Sequence, residues 1–158
     1  MATVENRYVQ VLVFRRTVKG AEYLLLQRAS TETIYPNLWQ MVTGKIKNGE
    51  RALDAARREL LEETQLTCKR LWIVPAANSF YDPAADVMEV LPLFAVEVEE
   101  SVNPVLSKEH QQFSWALFDE AARLLVWPDN HRGLEIVEKY IVANAPVAHL
   151  SEVKLSHQ

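Results

Sequence analysis

Cysteine is almost missing from this sequence. Cys68 is the single one, so no intrachain disulfide can staple the fold, which fits a reducing compartment. Glycine is scarce as well. Four glycines leave no material for a flexible linker, and no repeat or low-complexity tract divides the chain. No apolar run approaches the ~20 residues of a membrane helix. The stretch Met1–Arg7 lacks the basic-then-apolar order of a secretory signal. The expectation is a cytoplasmic protein with no membrane partner. Positive charge is also short: 17 Lys and Arg stand against 21 Asp and Glu, a net charge of −4. That argues against the broad basic footprint of a duplex nucleic-acid binder. What is present suits one globular domain. The chain has 158 residues, 49% of them hydrophobic and 24% charged. A chain of about 150 residues buries roughly 68–70% of its unfolded surface. The expected division is one domain over 1–146 and a loosely held tail over 147–158.

The pattern along the chain reads as α+β. Tyr8–Phe14 and Glu22–Gln27 are β-branched, aromatic and aliphatic, and predict two strands. Thr17–Gly20 between them reads as a hairpin turn. Ala29–Asn37 is polar, contains Pro36 and predicts a loop. Leu38–Val42 is a short strand candidate. Arg51–Thr64 is the clearest helix, rich in Ala, Leu, Arg and Glu. Its Leu53, Ala56 and Leu60 form one apolar stripe. Further strands are expected at Leu71–Val74, Val90–Val98 and Phe113–Leu117, with a loop at Ala77–Ala85. Phe118–Val126 predicts a short helix. Pro128-Asp129-Asn130 reads as a helix start, and His131–Val142 as the helix that Pro146 ends. Trp39, Trp72, Trp115 and Trp127 are expected to pack in the core. The same holds for Cys68. His110, His131, His149 and His157 show no zinc-like spacing.

Chemistry concentrates in Gly44–Glu50 and Arg58–Leu66. A helix turns about 100° per residue, so with Glu59 at zero, Glu62 lies near about −60° and Glu63 near about +40°. Three carboxylates then share one arc in the last turn. Their mutual repulsion and the helix dipole both disfavour them there. One reading is a solvated acidic face, with Arg58 and Glu62 as an i,i+4 pair. The other is a site for a hard divalent cation, which removes both penalties; oxygen ligands select Mg²⁺ or Mn²⁺. The full spacing favours the second. Gly44, Glu50, Arg58, Glu59, Glu62 and Glu63 fit G-x5-E-x7-R-E-U-x-E-E-x-G-U, with Leu60 and Leu66 at the aliphatic positions U. Six fixed positions arise by chance about once in 10⁷ placements.

That pattern is the signature of the Nudix hydrolases, and the chain resembles them. One position departs: Gln65 stands where the family has Gly, after a helix end where positive φ is common. The resemblance implies an α/β/α sandwich around a mixed sheet, with the signature as loop–helix–loop. It implies Mg²⁺ (or Mn²⁺) held by Glu59, Glu62, Glu63 and the backbone of Gly44 or Thr43. Glu62 is a ligand or a partner of the attacking water, and Arg58 and Glu50 orient the glutamates. It also implies hydrolysis of a phosphoanhydride by water.

Outside this segment the chain resembles the bacterial dATP pyrophosphohydrolase branch, also described as dihydroneopterin triphosphate pyrophosphatases. Leu24–Arg28, Leu38–Gly44, Ser107–His110 with Trp115, and the helix after Asn130–Arg132 carry that likeness. It implies a small nucleoside or pterin triphosphate as substrate. Glu109, before His110, matches a candidate ligand or base of that branch, against the alternative of a surface acid. Arg28 and Lys45 are candidate phosphate contacts, and Tyr81 a candidate base-stacking residue. A Tyr or Pro shortly beyond the signature also suggests dinucleoside polyphosphates or ADP-ribose, and Tyr81 and Pro83 stand in that interval. A nucleotide-binding sensor without hydrolysis is the alternative of another class, and the intact glutamate set argues against it.

Overall fold

The computed structural model describes residues 1–156. His157 and Gln158, the end of the expected tail, lie outside the described residues. The elements are β1 (Thr3–Glu5), β2 (Tyr8–Thr17), β3 (Gly20–Arg28), β4 (Trp39–Gln40), β5 (Val42–Lys45), α1 (Ala52–Thr64), β6 (Arg70–Asp82) and β7 (Val87–Glu97). Then come β8 (His110–Leu117), α2 (Phe118–Leu124), α3 (Pro128–Ile136), a π-helical turn (Val137–Val142), α4 (Pro146–Ser151) and β9 (Glu152–Val153).

The strands form one mixed sheet in the order β4-β3-β2-β7-β6-β9, with β1 on β7, β5 on β2 and β8 on β3. β2 runs parallel to β7 and antiparallel to β3 and β5. Alternation along β2 builds two cores. Val9, Val11 and Val13 face Ala55, Ala56 and Leu60 of α1, with Phe94 and Val96. Leu12 and Phe14 face the other way, against Trp72, Ala121 of α2, Leu134 of α3 and Val137. Period-two alternation thus puts helices on both faces. This is the α/β/α sandwich with a mixed sheet that the sequence led us to expect.

Three expectations are corrected. Ala77–Asp82 is not a loop but the second half of β6, paired with β7 up to Asp82↔Val87. The register shifts between Ile73 and Ala77, and the irregularity at Pro75 hides the strand from a simple pattern reading. α3 starts at Pro128, as Pro128-Asp129-Asn130 predicts, with Pro in the first turn, where its missing N–H costs nothing. Within the expected tail, residues 147–153 are not loosely held. Ala148 is buried, β9 pairs with β6, and Arg70 donates two hydrogen bonds to Glu152. Trp127 is not in the core: it is exposed, and its ring meets Tyr35 edge-on at 5.5 Å. Trp72 is fully buried as expected, and Trp39 and Trp115 are partly buried. Cys68 is partly buried, and burial pushes its thiol up to about 11.

Candidate active site

The site grows from the junction of β5 and α1. β5 is pinned to β2 with Gly44 opposite Val9 and Lys45 opposite Tyr8. The chain then turns through Lys47–Glu50, where the Glu50 N–H donates to the Lys47 carbonyl and Gly49 takes φ 77°. α1 packs back over β5, and contact between the two is close. A Cβ added at Gly44 would lie 2.0 Å from Cδ of Glu59. Only glycine lets the Glu59 side chain lie across the strand there.

Arg58 organises the acids. Its Nε and Nη2 donate to the two carboxylate oxygens of Glu50 at 2.8 and 2.9 Å. Nη1 donates to Glu59 at 2.7 Å and to Glu62 at 3.1 Å, and Nη2 also to the Lys45 carbonyl at 2.8 Å. This fork holds the Glu50 carboxyl down to about 2, helped by the Lys47 N–H that donates to it. The same contacts raise Arg58 above its ordinary range. Arg58 thereby ties β5, the turn and the last turns of α1 together.

The three glutamates of one helical arc sit at three depths. The Glu62 side chain is half exposed, that of Glu59 is largely covered, and Glu63 is buried. Burial raises the Glu59 carboxyl, and Arg58 opposes that shift. Burial pushes Glu63 up to about 9, and the charges of Glu59 and Glu109 add to it. Glu63 Oε2 has no hydrogen-bond partner among the described residues. An orphaned buried oxygen is uncommon in a native protein and has room for a partner such as an ion, a water or a ligand. Among the described residues no three His, Cys, Asp or Glu side chains are gathered closely enough to enclose a cation as they stand. Arg58 spans Glu59 and Glu62 instead. The donors themselves, carboxylate and carbonyl oxygens with one buried and unpaired, fit a hard divalent ion.

Glu109 comes from the loop before β8, the strand that pairs with β3. The loop before β8 is tied down where the Ala29 N–H donates to the Glu109 carbonyl at 2.8 Å. Its charge acts on both Glu59 and Glu63, so the fold brings this residue to the acid cluster. His110 beside it is buried, with Nε2 3.0 Å from the Gln40 amide and Nδ1 unpartnered among the described residues; burial holds it down to about 4. Arg28 reaches the same neighbourhood, since its charge lowers Glu63 and His110. Its Nε is engaged by the Ile34 carbonyl at 2.8 Å. Lys45 ends β5; its side chain is exposed, and only its carbonyl meets the cluster, through Arg58.

Tyr81 stands apart from the acids. It lines a cleft of about 570 Å³ with Tyr8, Tyr35, Phe80 and Trp127, and Thr43 of β5 joins that cleft to the signature loop. Its hydroxyl donates to Asp86 at 2.9 Å. The polar lining is Gln10, Asn78, Ser79, Asp129 and Asn130. None of these five, nor Trp127 as a wall, was legible in the sequence. The signal was Trp127-Pro128-Asp129-Asn130, which reads as an ordinary helix start.

Gln65, at the departure from the family pattern, follows α1 with φ 57° and donates its N–H to the Leu61 carbonyl at 2.9 Å. The left-handed conformation that favours glycine is kept without it.

The chain is 33% identical over 116 residues to an octanoyltransferase of Myxococcus xanthus, covering 69% of this chain and spanning only 30% of that protein. It is 29% identical over 153 residues to a dihydroneopterin triphosphate diphosphatase of Haemophilus influenzae, covering 86% of this chain and 87% of the relative. Its fold superposes on a C. elegans Ap4A hydrolase with a TM-score of 0.73 at 21% identity, covering 88% of this chain and 99% of the other. The family model for the Nudix domain matches residues 6–139. With that match over most of its length, and the signature folded as strand, turn and helix around a buried glutamate, the chain belongs to the Nudix hydrolase family.

Proposed function

We propose that this chain is a divalent-cation-dependent pyrophosphohydrolase that cleaves a (deoxy)nucleoside or pterin triphosphate to the monophosphate and pyrophosphate. The observation that carries this is the buried Glu63 carboxyl, unpaired on one oxygen and flanked by Glu59 and Glu109. Glu59, Glu62, Glu63 and the Gly44 carbonyl would hold Mg²⁺ or Mn²⁺. Such ions supply charge neutralisation across the phosphates and a more acidic water.

The chain's own residues do the rest. Arg58, fixed by Glu50, sets the positions of Glu59 and Glu62. Glu109, or Glu62, accepts the proton of the attacking water. Arg28 and Lys45 supply positive charge to the phosphates. The aromatic cleft beside Thr43 receives the heterocycle, with Tyr81 at its wall. Catalysis is then chiefly positioning and electrostatics, as phosphoryl chemistry requires.

A panel of triphosphates with Mg²⁺, with pyrophosphate and phosphate detected separately, tests this. Pyrophosphate from dATP, dGTP or dihydroneopterin triphosphate is expected. Single phosphate release, or no turnover, would refute it. The exposed position of Tyr81 along the cleft favours one second reading, a dinucleoside polyphosphate or ADP-ribose hydrolase. ATP released from diadenosine tetraphosphate would support that one.

A further inference from the structure

The connection from β7 to β8, residues 98–109, is irregular chain, yet it delivers Glu109 to the acids. A connection of about a dozen residues without secondary structure is near the upper limit for compact domains and is commonly a functional loop. Charge does not hold Glu109 there. It acts on Glu59 and Glu63 as a like charge, so unneutralised carboxylates at this point push each other apart. Other contacts oppose that push. The Val105 N–H donates to the carbonyl of Thr64, the neighbour of Glu63, at 2.9 Å, and the Ala29 N–H pins the Glu109 carbonyl. A third anchor is built of side chains from the sheet. Trp115 of β8 donates its indole N–H to the Asn103 side-chain oxygen at 3.1 Å. Arg15 of β2 lies over the Trp115 ring, 4.2 Å from its centre, and donates to the Val102 carbonyl at 3.1 Å and to Glu22 at 3.0 Å. Trp115, Val102 and Leu106 all pack against the core beneath α1.

We infer that Trp115, stacked with Arg15 and bonded to Asn103, is a positioning residue: it latches this segment over the end of α1 and so holds Glu109 at the acid cluster. The inference rests on the proposed hydrolase reading for what Glu109 does there, not for the latch itself. An indole N–H is a donor only, so its bond fixes Asn103 in one direction. The planar guanidinium of Arg15 serves the Trp115 ring, Glu22 and the Val102 carbonyl at once, which a lysine could not do. Two consecutive residues, Val102 and Asn103, are thereby tied to a rigid sheet. From there the chain passes to Val105 on the Thr64 carbonyl and on to Glu109. A slack latch lets repulsion move Glu109 off the cluster. It leaves Arg28, Lys45 and the aromatic cleft where they are, so the loss falls on kcat rather than on KM.

Trp115→Phe keeps the ring and the Arg15 stack but removes the N–H. Asn103→Ala removes the acceptor, and Asn103→Asp keeps one. Amide hydrogen exchange of the full chain, in chelator and without substrate, reads the latch. Exchange at Val105 is expected to speed up about three- to tenfold in W115F and N103A, and to return to within about twofold of the parent in N103D. Turnover of dATP, dGTP or dihydroneopterin triphosphate reads the position of Glu109. W115F and N103A should lose about three- to tenfold in kcat with KM within about twofold, and N103A should cost nothing further in an E109Q background. Unchanged exchange at Val105 would overturn the latch. A loss of equal size with and without Glu109, or one carried by KM, would overturn the positioning role. Faster exchange in a chain that hydrolyses no triphosphate would leave the latch standing and defeat the pyrophosphohydrolase reading. Hydrolysis with unchanged exchange would do the reverse.

Discussion

Glu63→Gln separates stability from function. Glu63 is 3% exposed, and its carboxyl is pushed from 4.5 up to about 9. A carboxyl whose folded value lies above its unfolded value favours the folded state most below about pH 4.5. That advantage drains away as pH rises towards the folded value. At pH 7 the unfolded chain has ionised this group and the folded chain has not. The difference of about 2.5 pH units from 4.5 costs up to about 3 kcal/mol, at about 1.4 kcal/mol per unit, and less than about 1 kcal/mol at pH 5. Gln has the shape of the protonated acid and escapes the cost. In chelator, E63Q should therefore melt several degrees above the parent at pH 7–8 and close to it at pH 5, since about 1 kcal/mol moves a chain of this size by roughly 2–4 °C. Mg²⁺ should raise the parent's melting temperature and barely move the variant's. Turnover should fall by at least about 10²-fold. The assay is a set of thermal melts across pH 5–8.5, with chelator and with Mg²⁺, beside a pyrophosphate assay. A variant less stable than the parent at pH 8 in chelator would refute the buried-charge argument, as would a difference that does not change with pH.

Other expectations follow from the same geometry. Gln65→Gly relieves a left-handed residue at φ 57° and should raise stability by about 0.5–1 kcal/mol in urea unfolding, with turnover unchanged. Gly44→Ala places a methyl 2.0 Å from Glu59 Cδ, so it should cut turnover more than about tenfold while the far-UV circular dichroism stays the same. Arg58→Lys replaces a fork that grips Glu50, Glu59 and the Lys45 carbonyl with a point donor; a loss of about 10–100-fold in Mg²⁺ affinity is expected by activity titration. His110 is buried and held down to about 4, so its neutral form favours the fold above pH 6.5 and that stability is lost as pH falls from 6.5 towards 4. H110Q should flatten the acid limb of the stability profile over that window, by up to about 2.5 kcal/mol at pH 4.5.

Much of the fold was legible because its signals are local. The strands at Tyr8 and Glu22 and the helix up to Thr64 announce themselves by period and composition, and structure moves their ends by a few residues. β6 shows only its first half in the sequence because its pairing is broken between Ile73 and Ala77, and a break in pattern looks like the end of a strand. The order of residues 147–153 is hidden from the sequence for a different reason. Their order comes from pairing with Arg70–Trp72, far away in sequence.

The sequence by itself determined the acidic set. Glu59, Glu62 and Glu63 share an arc because helix geometry is the same everywhere, and the spacing back to Gly44 and Glu50 is specific enough to name the family. Tertiary structure decided how those equals differ. Packing of α1 on β5 buried Glu63, left Glu62 in water and laid Glu59 across Gly44. It brought Glu109 to the cluster from the loop before β8, and Asp129 and Asn130 to the cleft from α3. Burial and long-range proximity depend on which surfaces meet, and no local pattern records that.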